Sequence, residues 1–165
     1  MDQVVEAVKL VANLMALAAK TAPKAKGVDN IVVRVVTDKS LLERIAEKME
    51  ELAEYYGDFF RRDAYCLRRS HALVLIGARV VRLGIKTPPD YGVDVDTAMA
   101  LVNLGIAVGS AAKVASMLNA DNRIMFSVGV AAKELKLVDA DYVLGIPLSA
   151  YSKNIYFDRV WPPKG

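Results

Sequence analysis

Residues 31–57 read IVVRVVTDKSLLERIAEKMEELAEYYG, and within that stretch the apolar pattern changes period once. Ile31 to Val36 is β-branched except at Arg34, which is the composition of a strand. Ser40 to Glu43 fits the S-x-x-E capping box, in which side chains satisfy the free N–H groups of a helix start. From there Leu41, Ile45, Met49, Leu52 and Tyr56 recur at helical spacing with charges opposite, until Gly57 ends the run. A strand feeding an amphipathic helix predicts an α+β fold.

The flanking sequence extends that reading in both directions. Upstream, Val4 to Ala19 has helical spacing but is apolar almost all round, with Val4, Val8, Val11, Met15 and Ala18 on one stripe. A helix of that kind is buried on most sides, so it is expected to dock against a second chain. Thr21-Ala22-Pro23 ends it, and Lys24 to Asn30 follows as a basic loop. Downstream, Asp58 to Ser70 reads as a short helix and Ala72 to Ile76 as a buried strand. Arg79 to Asp96 carries Gly84, Pro88, Pro89 and Gly92 and is the longest irregular segment. Thr97 to Leu118 is a second mostly apolar helix. Asp121 is positioned to cap a helix from Asn122 to about Leu137, and Tyr142 to Leu148 reads as the last strand, ending near Pro147. An aromatic tail, Ser149 to Gly165, closes the chain.

Composition narrows the function classes. With 165 residues and no internal repeat or linker, a single domain spanning 1–165 is expected. Apolar residues form 54% of the chain, which calls for a large core or for surface covered by another subunit. A net charge of +3 is too small to argue for nucleic acid. The longest uncharged run, Thr97 to Ala112, is shorter than the roughly 20 residues a bilayer span needs, so no membrane association is expected. The start, Met-Asp-Gln, lacks a basic signal-peptide region, and a cytoplasmic location is expected. One Cys, one His and one Gln make a composition poor in thermolabile residues, which points to a thermophilic source.

Few residues have a pattern that specifies chemistry. Arg61, Arg62, Arg68 and Arg69 recur at a spacing of seven and read as a solvated face paired with Asp58 and Asp63, since no aromatics interleave with them. Gly105, Gly109, Ala112 and Ser116 form a small-residue stripe suited to close packing or to a closely approaching ligand. Cys66 reads as a small buried hydrophobe, and His71 as a capping or core-edge residue. Asp90, Asp94 and Asp96 read as solvated or helix-capping. In Lys20 to Gly27, three lysines flank a helix end and a glycine, an arrangement able either to receive a phosphate or to stand as a solvated loop.

Four segments, AKTAPKAKGVDNI (19–31), FFRRDA (59–64), LGIAVGSAAKVAS with ADNRIMFSVGVAAKEL (104–135) and VLGIPLSAYSKNIYFDR (143–159), resemble the family of ferredoxin domain-containing proteins. That resemblance implies a cysteine cluster between the second strand and the Gly-rich helix. Here the corresponding stretch is RVVRLGIKTPPDYGVDVDTAM (79–99), with no cysteine, so no iron–sulfur cluster and no metal site is expected. A second resemblance is to FMN-dependent nitroreductases, through Ala19 to Ala53 and through Thr97 to Leu148 with its L-G-x-P. It implies a mixed sheet packed with helices, a homodimer, and flavin at the interface. The arginines with which those enzymes bind the flavin phosphate have no match in MDQVVEAVKL, so Lys20, Lys24, Lys26, Lys153 and Arg159 are the candidate replacements. With Asn154 adding a side-chain amide, these residues are expected to hold FMN or another phosphate-bearing small molecule. The alternative is a non-catalytic homodimeric binding or assembly module that has lost its cofactor.

Overall fold

A four-stranded sheet, in the order 31–36, 72–78, 142–149 and 121–122, separates two layers of helices in the computed structural model, which describes residues 2–163. Met1, Lys164 and Gly165, the last two closing the aromatic tail, lie outside the described residues. The strands are β1 (Ile31–Val36), β2 (Ala72–Ala78), β3 (Asp121–Asn122) and β4 (Tyr142–Ser149). Every ladder between them is antiparallel, so the mixed sheet expected from the resemblance is corrected to an antiparallel one among the described residues.

The helices are α1 (Gln3–Thr21), α2 (Lys39–Tyr56), α3 (Phe59–Arg68), α4 (Val95–Met117) and α5 (Phe126–Glu134). Strand periodicity divides β2 between the two cores. Ala72, Val74, Ile76 and Ala78 meet α1 and α4, while Leu73 and Leu75 meet α2, α3 and α5. All seven β2 residues are buried, as a central strand covered on both faces requires.

Several boundaries differ from the sequence reading for identifiable reasons. Helix α2 begins one residue before the expected capping box, because Asp38, two residues ahead of Ser40, is its cap and accepts from the Leu41 N–H at 2.8 Å. Asp121 does not cap a helix: with Asn122 it forms β3 against Leu148 and Ser149, and α5 starts only at Phe126. Strand β4 runs past Pro147, which pairs with Leu73. Gly145 exchanges bonds with Met125, so Pro147, two residues on, turns its missing N–H toward the same outer side, where β3 reaches only Leu148 and Ser149.

The expectation that no segment matches a membrane span is also corrected in part. Helix α4, at 23 residues, is long and apolar enough by length and composition to cross a bilayer. In the fold, Ala100, Leu104, Ala107, Val108, Ala111 and Ala115 line its buried face against α1 and the sheet. Of its small-residue stripe, Gly105, Gly109 and Ser116 are exposed on the other side, whereas Ala112 packs against the core. A Cβ added at Gly105 or Gly109 would meet no atom within 4 Å, so these glycines do not serve packing inside the chain.

Candidate functional site

The first basic segment follows the C-terminus of α1, where Lys26 and Gly27 adopt left-handed backbone conformations, at φ 53° and 68°. The lysines of this loop bond to the chain itself. Lys20 Nζ donates to Asp29 at 2.5 Å and to the Ile31 carbonyl at 3.2 Å. Lys24 Nζ donates to the carbonyls of Lys20 and Ala22, and Lys26 Nζ to that of Leu83 at 2.8 Å. The Lys20 ammonium in turn holds the Asp29 carboxyl below its ordinary pKa. An ammonium has three donors, so each lysine retains capacity on its solvent side.

A buried amide pair pins this loop. Asn103 of α4 accepts from the Ala25 N–H at 3.0 Å and donates to Asn30 Oδ1 at 3.0 Å. Asn30 passes the bond on to the Arg79 carbonyl at 2.7 Å. Both amides are almost wholly buried, a placement that stands only when their polar atoms are paired.

The second basic segment follows β4. Asn154 Oδ1 accepts from the N–H groups of Tyr156 and Phe157, so the amide oxygen builds a turn and its NH₂ remains the group open to a ligand. Lys153 is exposed. Tyr156 is fully buried, shares a 2.8 Å hydroxyl contact with Ser70, and has its phenol pKa pushed up by desolvation. Burial likewise pushes the Cys66 thiol up, and its Sγ lies 3.5 Å from the Ile155 carbonyl. Cys66 is therefore a neutral packing group, as the sequence suggested.

Arg159 is different. Its Nε is buried and has no hydrogen-bond partner. Desolvation lowers its pKa and the nearby charges of Arg62 and Arg123 lower it further, while Cys66 and Asp63 act in the opposite direction. Arg62 donates through Nε and Nη2 to Asp63 Oδ1 at 3.1 and 3.0 Å, and Ser127 Oγ holds Asp63 Oδ2 at 2.7 Å. Arg123 reaches the Tyr156 carbonyl at 3.4 Å and lies over the Phe157 ring. Sequence reasoning selected Arg159 as a ligand candidate and did not single out Arg123. The sequence pairing of this arginine face with Asp58 and Asp63 holds for Arg61 and Arg62, whereas Arg68 pairs with Glu43 and Glu50.

The two basic segments stand at opposite ends of the sheet. Lys20 touches Ile31, which pairs with Ala78 and through it with Tyr142, at the start of β4. Lys153, Asn154 and Arg159 follow Ser149, at its end. Seven strand steps of about 3.3 Å separate these ends by roughly 23 Å. One chain therefore does not unite Lys20, Lys24 and Lys26 with Lys153, Asn154 and Arg159. A separate groove of about 500 Å³ opens beside Tyr142, lined by Tyr56, Leu101, Phe126 and Val130.

The architecture is that of the nitroreductases. An FMN-bound nitroreductase from Desulfitobacterium hafniense superposes with a TM-score of 0.61 at 18% identity, over 94% of this chain and 81% of that one. A hypothetical oxidoreductase, YcnD from Bacillus subtilis, gives 0.61 at 18% identity over 88% of this chain, which spans only 58% of YcnD. The sequence relationships define the family. A model described as an uncharacterized protein containing a ferredoxin domain matches residues 94–159. An uncharacterized protein from Archaeoglobus fulgidus is 44% identical, covering 93% of this chain and 92% of its own. The chain belongs to this family of ferredoxin domain-containing proteins.

The donor set does not fit the cluster for which the family is described. The matched stretch contains no cysteine, and the single thiol, Cys66, lies outside it and is buried. A cluster held by four thiolates has no ligands here.

Proposed function

We propose that the protein is a cytoplasmic, flavin-binding redox domain without an iron–sulfur cluster, working as a homodimer. The observation that carries this reading is the unpaired cationic group at Arg159, set on a fold whose solved relative holds FMN. Arg159, with Lys153 and the Asn154 NH₂, would hold the phosphate; bound flavin would supply the electron-transfer chemistry. Because the Lys20–Gly27 loop lies at the far end of the sheet, the reading needs a second copy to bring that loop to the same ligand.

A second reading, a homodimeric binding or assembly module without cofactor, is favoured by one observation. Lys20, Lys24 and Lys26 are all bonded within their own chain, as in a loop built for rigidity.

Titration of apo protein with FMN, followed by flavin fluorescence, separates the two. The flavin reading expects saturable binding in the low micromolar range or tighter, weakened in Lys153→Ala and Arg159→Ala. Absence of quenching at high micromolar flavin leaves the cofactor-free module. Iron and sulfide analysis of anaerobically purified protein is expected to give neither; stoichiometric amounts of both would overturn the cluster-free reading.

A further inference from the structure

We propose that the groove beside Tyr142 binds a small, neutral aromatic molecule that carries a hydrogen-bond acceptor. The groove lies at the opposite end of β4 from Lys153 and Arg159, and its argument stands independently of the flavin reading.

The donor comes from the sheet edge. Gly145 exchanges backbone bonds with Met125 on the side of β4 away from β2. Bonding direction alternates along a strand, so the Val143 N–H and C=O point to that same outer side. There β3 pairs only with Leu148 and Ser149, and beyond Met125 the chain turns into α5. Gly129 of α5 covers the Val143 C=O, since an added Cβ would lie 1.9 Å from that oxygen. The Val143 N–H makes no hydrogen bond among the described residues, although Val143 is only 7% exposed. Buried N–H groups are almost always paired, so an unpaired one bordering a cavity marks the place of an acceptor. The opening is one residue wide. Asp141 donates its N–H to Ala78, and its C=O accepts from Lys133. An acceptor atom fits there, whereas an added strand would need alternate residues free.

The walls supply the aromatic preference. Val143 shares the groove with Tyr56, Leu101, Phe126 and Tyr142, around about 500 Å³, a volume suited to a small molecule. Phe60, wholly buried, stacks on Tyr56 at 5.2 Å and meets Phe126 edge-on at 6.2 Å, holding both rings from behind. Tyr56 and Phe126 are nevertheless exposed, so ring surface is left for a flat partner. The ionisable side chains at the groove, besides the tyrosines, are Lys133, Glu134 and Asp141. One cation against two carboxylates gives no excess positive charge for an anion. A cationic ligand would leave the Val143 donor unpaired. A neutral acceptor meets both conditions.

NMR of the ¹⁵N-labelled full chain, titrated with coumarin, tests the site. Coumarin is neutral, has two fused rings and carries a carbonyl. A saturable downfield shift of the Val143 amide is expected by about 1 mM. δ-Valerolactone, which keeps the carbonyl without the rings, and benzyltrimethylammonium, which keeps a ring with positive charge, are each expected to bind at least about tenfold more weakly. Phe126→Ala and Leu101→Ala, both at exposed positions, are expected to weaken coumarin at least about fivefold, and Leu10→Ala on α1 to leave it unchanged. Circular dichroism confirms that each variant is folded. Absence of any shift in the wild type would overturn the proposal. Shifts at other groove amides with Val143 unmoved would overturn the acceptor, and equal binding of benzyltrimethylammonium would overturn the neutral class. A Val143 amide that moves with protein concentration and not with coumarin would give the groove to a second copy and end the proposal.

Discussion

His71 lies at the entrance to β2, with its Nδ1 accepting from the Ala150 N–H at 3.3 Å and its ring against Tyr151. Desolvation lowers its pKa, the nearby Lys39 charge lowers it further, and Asp2 raises it in part. The unfolded chain therefore takes up a proton near pH 6.5 while the folded chain does not yet do so. This contribution to stability is complete above about pH 6.5 and is lost as pH falls toward the folded value. The chain has one histidine, so its ring protons can be followed without assignment. A titration midpoint below that of a free histidine is expected by NMR, and a midpoint at or above it would refute the burial account. Asn103 makes a second residue-level case. Asn103→Ala leaves the Ala25 N–H and Asn30 Oδ1 without their partner and is expected to cost about 1–3 kcal/mol in urea denaturation. An unchanged midpoint would show that the loop is not held by this amide. Neither role was fully legible in the sequence. A lone His before a strand suggested capping or a core edge, but nothing in the sequence marked Asn103 as the anchor of a distant loop.

Elements with a strong period were legible nearly to the residue. Strand β1 and the end of α2 at Gly57 fall where the β-branched composition and the glycine stop placed them. Strand β3 could not be read, because two residues have no period and their strand character comes from Leu148 and Ser149. The packing of α5 on β4 was equally silent. An added Cβ at Gly129 would lie 1.9 Å from the Val143 carbonyl oxygen, and one at Gly145 would lie 2.4 Å from Val128. The helix and strand touch backbone to backbone, which only glycine permits. In an open helix, alanine in place of glycine would stabilise by about 1 kcal/mol. At Gly129 the opposite sign is expected: Gly129→Ala must push α5 away from the sheet and should lower the melting temperature. A variant as stable as the wild type would mean that α5 can shift freely.

At the scale of the whole molecule, the surface of a single chain is unusually apolar along two helices. Leu10 and Leu17 of α1 are each 60% exposed, and Leu101, Val102 and Ile106 of α4 are also exposed. Gly105 and Gly109 lie on the same open side of α4. Patches of this kind are rare on soluble monomers, and close backbone approach is what paired glycines one helical turn apart allow. A homodimer is the proposed state, and glycine 109 supplies a test with opposite signs. In a monomer, Gly109→Ala adds a methyl to open space and should stabilise by about 1 kcal/mol through helix propensity alone. In a dimer packed through this stripe, the same methyl holds the helices apart, and Gly109→Leu does so more strongly. Light scattering at micromolar concentration is therefore expected to give twice the 18.0 kDa chain mass for the wild type. Gly109→Leu is expected to move that mass toward a single chain while the circular dichroism of the helices is retained. A wild-type mass of one chain, together with a simple stabilisation in Gly109→Ala, would show that the stripe faces water. The flavin reading would then lose the second copy on which its Lys20–Gly27 loop depends.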